Sequence, residues 1–281
     1  MKYDLHLHTT ASDGRLTPAA VVGLARARGL EVIAITDHDS VSGINEALRE
    51  AANSPRLTVI PGVEINTDLA SGELHVLGYF IDYMDEDLVI SLEKIRESRV
   101  GRAQKMLGKL HDLGMPIEWQ RIQDLARGES ICRPHIAQAM LEKGYVATEK
   151  EAFDKYIGRS GTAYIGREKI RPVDAVRMIK LAKGIPVLAH PADISDLDNI
   201  IIELKEVGLV GLEAYYGQYD NNTVKRMVRL ADEHGLLTTG GSDYHHFGDD
   251  REVPLGSVDI PEDSISALFQ SAGRMEQYKK K

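Results

Sequence analysis

The chain has 281 residues, 43% of them hydrophobic, which is enough to bury a large core without disulfides or metals as staples. Its single cysteine, Cys132, excludes an intrachain disulfide framework, and its net charge of −9 argues against an extended nucleic-acid-binding face. The sequence contains no apolar run of transmembrane length and no signal segment, so it predicts a cytoplasmic protein without membrane contact, whose oligomeric state stays open.

Strand-like and helix-like segments alternate over the first 80 residues. The predicted strands cover 2–7, 32–36, 57–64 and 73–80. The first helix has clear end signals, because Thr17 and Pro18 are a typical N-cap and first-turn pair and Gly29 ends the apolar spacing. A second helix is predicted at 42–53. These segments indicate successive β/α units.

The pattern changes after Asp82. Four helical segments follow one another, at 87–113, 117–127, 133–143 and 148–156, with no strand-like run between them. The last begins with a capping box formed by Thr148 and Glu151. We interpret this stretch as a helical subdomain at 96–163, inserted into a β/α domain made of 1–95 and 164–281.

Alternation resumes in the last part of the chain. Strands are predicted at 185–189, 211–214 and 236–240, and helices from Pro172 and at 198–207, 222–234 and 264–274. Strands separated by helices of this length imply parallel βαβ units. Six or seven such units fit a closed or distorted α/β barrel, and an open doubly wound sheet is the alternative.

Residues that can bind metals follow the predicted strands. They are His6 and His8, Asp37 and His38, Glu64, His75, His190, Asp243 and His245. In a parallel barrel the ends of the strands converge on one face, so these side chains are expected to share a pocket. Each residue alone has an ordinary explanation, such as a helix cap or a buried histidine. Their joint placement predicts a metal site, because so many buried ionisable groups would be destabilising without a metal.

Several short motifs in this chain resemble those of the polymerase-and-histidinol-phosphatase (PHP) superfamily, in the same order. They are His6-Leu7-His8 followed by 9–13, Ile35-Thr36-Asp37-His38-Asp39, Gly62-Val63-Glu64, Ala189-His190-Pro191 and Gly241-Ser242-Asp243-Tyr244-His245. The resemblance covers nearly the whole chain. Within the superfamily, Arg133-Pro134-His135 in the helical insertion is similar to the stand-alone 3′,5′-nucleotide bisphosphate phosphatases.

The resemblance implies a distorted (β/α)7 TIM-like barrel that carries three metals. The first metal would bind His6, His8, Glu64 and Asp243, the second Glu64, His75 and His190, and the third Asp13, His38 and His245. Asp37 would accept a hydrogen bond from the neighbouring His38. Mixed imidazole and carboxylate ligands without a thiolate suit Mn²⁺, Zn²⁺ or Fe²⁺.

The resemblance also implies an activity, which is metal-dependent hydrolysis of a phosphomonoester on a small nucleotide. The catalytic residues would be Glu64, Asp243, His190 and Asp37. A hydroxide bridging two metals would attack, so that a 3′,5′-bisphosphonucleotide gives a 5′-mononucleotide and phosphate. Histidinol phosphate or another small phosphomonoester is the alternative substrate, and action on short oligonucleotide ends stays open. A catalytically idle metal-binding scaffold is the alternative from a different class.

Candidate substrate-binding residues lie near the insertion. Arg133 and His135 fall at a predicted helix N-terminus, where a guanidinium and backbone N–H groups can hold phosphate, although an ordinary solvated cap explains them equally well. Arg167 and Lys169, where the chain returns from the insertion, are further candidates for the pocket, although a solvated loop explains them better. The adjacent tyrosines after the strand at 211–214 could stack on a nucleobase or close the rim of the barrel.

Overall fold

The computed structural model describes residues 2–69, 72–126, 131–166, 170–246, 248 and 252–276. The chain forms two compact units. We call Met1–Val89 together with Lys169–Lys281 the barrel unit, and Ile90–Glu168 the helical unit. Every helix in the described part of the chain is too short or too polar to cross a membrane.

The barrel unit is built on one mixed sheet of seven strands. They are β1 (Tyr3–Leu7), β2 (Val32–Ile35), β3 (Thr58–Asp68), β4 (Glu73–Tyr79), β5 (Ile185–Ala189), β6 (Gly211–Tyr216) and β7 (Leu237–Gly241). The strands lie in chain order, and neighbours are parallel except in the two pairs that include β4. After β1, the His8 N–H donates to the Tyr244 carbonyl beyond β7, at 3.0 Å, which nearly closes the sheet. The predicted α/β barrel is confirmed.

The direction of β4 differs from the expected parallel arrangement. β3 and β4 are consecutive strands joined by residues 69–72, and so short a connection allows only antiparallel pairing. β3 also continues to Asp68, so Glu64 lies inside a strand rather than at its end. Because β4 runs against the other strands, its first residues, including His75, lie beside the final part of β3. The hairpin thus brings Glu64 and His75 together.

The helices lie close to their predicted positions. The described α-helices are α1 (Pro18–Ala27), α2 (Ile44–Ala51), α3 (Glu86–Asp112), α4 (Trp119–Ala126), α5 (Arg133–Glu142), α6 (Glu149–Ala152), α7 (Pro172–Leu181), α8 (Leu197–Glu206), α9 (Asn221–His234) and α10 (Glu262–Ser271). The predicted start of α1 is confirmed, since Thr17 Oγ1 accepts a hydrogen bond from the Ala20 N–H at 3.2 Å. Its predicted end is confirmed by Gly29, whose φ of 71° cannot continue the helix.

Strand β2 shows how the barrel unit packs. Ile33 and Ile35 join α1 residues such as Val21 in one apolar cluster, whereas Val32 and Ala34 enter a second cluster. Successive strand residues point to opposite faces, so both faces of β2 are covered. A strand that is buried on both faces has a continuous apolar sequence, which is why the sequence alone predicts this strand.

The helical unit contains α4, α5, α6 and most of α3, around an apolar cluster of its own. Buried members of the cluster include Met106, Leu110, Ile122, Ile136 and Met140. The helix predicted at 148–156 is divided in the structure, because α6 ends at Ala152 and a π-helical turn, Phe153–Ile157, follows it. The predicted domain boundaries, 96–163 within 1–95 and 164–281, stay a proposal.

Candidate metal centre

Nine side chains with metal-binding chemistry converge in the barrel unit. They are His6, His8, Asp13, His38, Glu64, His75, His190, Asp243 and His245. Among the described residues they form four overlapping groups, within each of which the possible ligand atoms lie no more than 4.8 Å apart. The β3–β4 hairpin contributes Glu64 and His75. The other residues lie within or just beyond the ends of β1, β2, β5 and β7. The residues expected to share a pocket do lie together.

Glu64 lies at the centre of these groups. Its side chain is buried, and its strand is joined to the residues after β2 because the Asp39 N–H donates to the Glu64 carbonyl at 2.9 Å. Imidazole nitrogens within 3.3 Å of its two carboxylate oxygens belong to His6, His8, His38, His75 and His190. One carboxylate therefore connects histidines from four different strand regions.

Asp13 and Asp243 supply two further carboxylates. Asp243 Oδ1 lies 3.0 Å from His8 Nε2 and 3.4 Å from His6 Nε2. Asp13 Oδ1 lies 3.4 Å from His245 Nε2 and 3.7 Å from His8 Nδ1. The His8 and His245 rings stack with their centroids 4.0 Å apart. His8 is therefore shared between the two aspartates, one at each of its ring nitrogens.

Several buried atoms of this cluster have no hydrogen-bond partner within the described part of the chain. They are His6 Nε2, His8 Nε2, Asp13 Oδ1, Glu64 Oε2 and His75 Nε2. A buried polar atom without a partner is destabilising, and a divalent cation can satisfy imidazole and carboxylate atoms together. The nine donors include no thiolate, which suits borderline divalent ions. The residues present therefore fit divalent metal ions.

The electrostatics of the cluster favour positive charge at its centre. Burial lowers the pKa of His8, but the nearby carboxylates of Asp243 and Glu64 outweigh burial and raise it to about 10. Burial raises the pKa of Glu64, but the surrounding histidines, His38 and His6 foremost, hold it well below its usual range. In the metal-free protein the His8 imidazole therefore takes up a proton, which a divalent cation would displace.

Two of the candidate ligands have left-handed backbone conformations. His190 follows β5 with a φ of 31°, and Asp243 follows β7 with a φ of 56°. Such angles are disfavoured for residues with a side chain, and they are found where tertiary structure imposes them, often at functional sites. The backbone is also closely packed here, since a Cβ at Gly241 would lie 2.4 Å from His6 Cβ. Glycine at this position lets β7 approach β1.

Asp37 contacts a different part of the site from the one expected. Its Oδ1 accepts hydrogen bonds from the Thr9 N–H at 2.7 Å and from Ser12 Oγ at 2.6 Å, and its Oδ2 accepts one from Thr9 Oγ1 at 2.7 Å. The His38 ring, expected to donate to Asp37, instead has Nδ1 2.8 Å from Glu64 Oε2. Asp37 therefore bonds the loop after β1 and not, as was expected, the His38 ring. Three donors of that loop orient its carboxylate.

Two buried carboxylates at the site were not identified from the sequence. Glu213 in β6 has Oε1 3.1 Å from His6 Nδ1. Asp4 in β1 accepts hydrogen bonds from the Ser242 N–H at 2.9 Å and from Ser242 Oγ at 2.6 Å, and burial raises the pKa of Asp4 to about 6. The sequence signal for such a carboxylate is a charged residue inside an otherwise uncharged strand, as Glu213 is in Gly211–Tyr216.

The two tyrosines after Ala214 have separate environments. The Tyr216 hydroxyl donates to Asp243 Oδ2 at 2.9 Å, and its ring centroid lies 5.0 Å from that of His190. Tyr215 packs against an apolar cluster of the barrel unit. Tyr216 therefore contacts the candidate metal centre, whereas Tyr215 contacts the core.

The substrate-binding candidates of the helical unit lie at the start of α5. Arg133 is the first residue of this helix, and its guanidinium lies 5.6 Å from the centroid of the Phe153 ring. His135 is buried, and its Nδ1 accepts a hydrogen bond from the Cys132 N–H at 3.1 Å. This hydrogen bond caps the N-terminus of α5. Two other candidates lie outside the described residues, namely Arg167 and Lys169.

Comparison with known proteins agrees with this geometry. The PHP domain family matches residues 4–216. A 5′-3′ exoribonuclease of Haemophilus influenzae is 33% identical over 248 residues, which are 87% of this chain and 90% of that protein. A 3′,5′-nucleoside bisphosphate phosphatase of Chromobacterium violaceum is 31% identical over 268 residues, which are 92% of each chain.

A solved structure is similar along nearly the whole chain. An amidohydrolase from Chromobacterium violaceum, solved with bound sulfate, has a TM-score of 0.88 and 29% identity, and the match covers 97% of each chain. The family match spans more than half of the sequence, and it includes most of the residues that converge on Glu64. The protein therefore belongs to the PHP domain family of metal-dependent phosphoesterases and is a hydrolase of phosphate esters.

Proposed function

We propose that this protein hydrolyses a phosphomonoester of a small nucleotide, and that a 3′,5′-bisphosphonucleotide is its preferred substrate. The products would be a 5′-mononucleotide and phosphate. The observation that carries the proposal is the convergence of nine metal-binding side chains around the buried Glu64. The substrate class is supported by similarity to the Chromobacterium violaceum protein named as a 3′,5′-nucleoside bisphosphate phosphatase.

We assign two to three divalent metals, Mn²⁺, Zn²⁺ or Fe²⁺, to the candidate centre. The proposed ligands are His6, His8, Glu64 and Asp243 for the first metal, Glu64, His75 and His190 for the second, and Asp13, His38 and His245 for the third. Two features of the geometry support this division. The ligands proposed for the third metal form one of the four groups together with His8. Glu64 and His75, proposed for the second metal, both belong to another of these groups.

The reaction combines the chemistry of the metals with positioning by the chain. Bound divalent ions would activate water at neutral pH and neutralise charge on the phosphoryl oxygens. Glu64 contacts histidines through both of its carboxylate oxygens, so it would serve as a ligand of two ions. Asp243 and His190 complete the centre from the residues after β7 and β5. Asp37 holds the loop that leads to Asp13, through its bonds to that loop.

The charge of the centre favours an anionic substrate. Its carboxylates are Asp13, Glu64 and Asp243, with Glu213 behind His6. Three divalent ions would carry more positive charge than these four groups carry negative charge. A pocket that is positive overall attracts phosphate even in a protein whose net charge is −9.

We further propose that Arg133 holds the phosphate that is not hydrolysed. Arg133 begins the ten-residue helix α5, where a guanidinium and first-turn N–H groups together suit an anion. His135 at the same helix start, and Arg167 and Lys169 further along, are proposed to contribute to the same phosphate. A separate binding contact for the phosphate that is not hydrolysed would explain a preference for substrates with two phosphates.

Similarity to the Haemophilus influenzae protein named as a 5′-3′ exoribonuclease supports a second candidate function. That activity removes nucleotides from RNA by cleaving phosphodiester bonds, whereas a bisphosphate phosphatase cleaves a terminal monoester. Both reactions use activated water at phosphorus. They differ in the leaving group and in the length of chain that must be accommodated, so substrate assays separate them.

A substrate panel tests the proposal. The Mn²⁺-loaded protein is assayed with a 3′,5′-bisphosphonucleotide, the matching mononucleotides, a 5′-phosphorylated oligoribonucleotide and histidinol phosphate, and kcat/KM is measured for each. We expect the highest kcat/KM for the bisphosphonucleotide. A higher value for the oligoribonucleotide would favour the exoribonuclease, and a higher value for histidinol phosphate would favour that phosphatase activity. No turnover of any substrate, with metals bound, would indicate a metal-binding scaffold.

A further inference from the structure

Glu213 contacts two members of the candidate metal centre without being one of its nine ligand-type residues. It lies in β6 with its side chain fully buried. Its two carboxylate oxygens lie 3.1 and 3.2 Å from His6 Nδ1. Its Oε2 also accepts a hydrogen bond from the backbone N–H of His190, at 3.0 Å. One carboxylate therefore bonds the ring of one candidate ligand and the backbone of another.

The contact with His6 fixes which ring nitrogen faces the metal position. When His6 Nδ1–H donates to Glu213, the lone pair of Nε2 is free to bind a cation. His6 Nε2 lies 3.3 Å from Glu64 Oε2 and 3.4 Å from Asp243 Oδ1, and it has no hydrogen-bond partner in the described part of the chain. Glu213 thus orients the ring toward two carboxylates that are themselves candidate ligands.

The contact with His190 acts on the backbone. His190 has a φ of 31°, which is disfavoured for a residue with a Cβ and must be held by its surroundings. The hydrogen bond from its N–H to Glu213 is a charge-assisted contact that holds the backbone in this conformation. In this conformation His190 Nε2 lies 3.2 Å from Glu64 Oε1. The position of a second candidate ligand therefore also depends on Glu213.

We propose that Glu213 is a positioning residue that supports two metal positions at once, through His6 and His190, and so couples their occupancy. The inference rests on the proposed assignment of these two histidines as ligands of the first and second metals. A carboxylate that orients a ligand imidazole typically contributes 10–100-fold to metal affinity. Loss of Glu213 should weaken both positions together.

The test compares metal binding by the wild-type protein and Glu213→Gln. Glutamine keeps the size of the side chain but loses its charge and one acceptor oxygen, so it cannot serve both histidines equally. Each protein is freed of metal and titrated with Mn²⁺ by isothermal calorimetry, and circular dichroism reports its folding. We expect affinity for Mn²⁺ to fall about 10–100-fold, and the number of ions retained at limiting free Mn²⁺ to fall by two.

Thr239→Val is the matched control. Thr239 pairs with Glu213 across β6 and β7 and is equally buried, so its substitution perturbs the same place in the barrel. We expect it to leave Mn²⁺ affinity unchanged. A similar loss of affinity in both variants would overturn the proposal, because it would show a general effect of disturbing this part of the sheet.

The other outcomes are also decisive. Unchanged Mn²⁺ binding by Glu213→Gln, or the loss of a single ion, would overturn the coupling while leaving the metal assignment intact. Failure of the wild-type protein to bind Mn²⁺ would overturn the metal assignment itself. If metal-free Glu213→Gln does not fold, ¹⁵N NMR of histidine-labelled, Zn²⁺-loaded wild-type protein decides the question. His6 is expected to carry its proton on Nδ1 and the metal on Nε2, and the reverse arrangement would overturn the proposal.

Discussion

The start of α5 in the helical unit and the candidate metal centre in the barrel unit treat buried polar groups differently. In the helical unit, Arg99 Nη1 donates to Cys132 Sγ at 3.2 Å, and the Cys132 N–H donates to His135 Nδ1 at 3.1 Å. In the barrel unit, buried atoms such as His6 Nε2 and Glu64 Oε2 have no such partner among the described residues. In the first arrangement the chain itself supplies partners for the buried polar atoms. The second arrangement indicates that a bound ligand supplies them.

Because of this difference, the residues that stabilise the helical unit and the residues that would bind metals belong to different units. The core of the helical unit is an apolar cluster that includes Met106, Ile122 and Met140. The barrel unit also has apolar clusters, but it adds ionisable side chains at one end of its strands. Removing metals should therefore affect activity and the stability of the barrel unit, whereas core substitutions in the helical unit should affect stability alone.

Metal removal is expected to have the largest effect. Gently purified protein should carry two to three divalent metals per chain, and exhaustive chelation should lower phosphoesterase turnover at least about 10³-fold, because the activated water is lost. Elemental analysis and kcat before and after chelation measure this, and Mn²⁺ should restore activity. Less than one metal per chain, with none regained from Mn²⁺ or Zn²⁺, would refute the metal assignment.

Glu64→Gln should be the most damaging single substitution. It keeps the shape of the side chain but removes a charge that two ions are proposed to share, so kcat should fall by at least about 10²–10³. Kinetics with elemental analysis measure the effect. Glu142→Gln is the control, since Glu142 pairs with Arg121 at 2.7 Å in the helical unit and should not change kcat. Near-normal turnover of Glu64→Gln with intact metal content would exclude the bridging role.

Ile122→Ala tests the helical unit. Ile122 is fully buried in its apolar cluster, and truncation should lower the free energy of unfolding by about 2–4 kcal/mol through lost contacts and a cavity. Denaturant unfolding measures stability, and elemental analysis measures metal content, which should stay at the wild-type level. A parallel loss of metal would contradict the separation of stability from chemistry.

Arg133→Ala tests whether the helical unit has a role beyond its own fold. If Arg133 holds the second phosphate by a bidentate contact, kcat/KM should fall at least about tenfold more for 3′,5′-bisphosphonucleotides than for monophosphates. Arg121→Ala, which removes an arginine paired with Glu142 in the same unit, should leave that ratio unchanged. Equal losses on both substrates for Arg133→Ala would place this residue at the scissile phosphate or in a structural role.

The smallest effect concerns pH. Burial lowers the pKa of His8, but Asp243 and Glu64 raise it to about 10 in the metal-free protein. A raised folded pKa stabilises the metal-free protein below the unfolded value of about 6.5, and this contribution is lost as pH rises toward 10. The melting temperature of the metal-free protein should therefore fall over this range. Calorimetry in buffers of different ionisation enthalpy should show protons released when Mn²⁺ binds at pH 7, and no release would contradict this.

Local signals were sufficient to predict most helices, most strands and the set of candidate ligands. Thr17 and Pro18 begin α1, and Val32–Ile35 is an apolar, largely β-branched run. Such signals act within a few residues, through capping and side-chain stiffness, so they do not depend on the rest of the fold. The placement of His6 and His190 beside apolar strands was recognisable for the same reason.

Tertiary structure alone decided the direction of β4 and the partners of the buried carboxylates. The β3–β4 hairpin placed His75 beside Glu64, whereas the sequence had indicated only parallel units. Asp37 was expected to support His38 but bonds Thr9 instead. Glu213 and His6 are 207 positions apart, and no local pattern relates them. The partner of a buried side chain is whichever donor or acceptor the fold brings within about 3 Å, and that depends on the pairing of all seven strands at once.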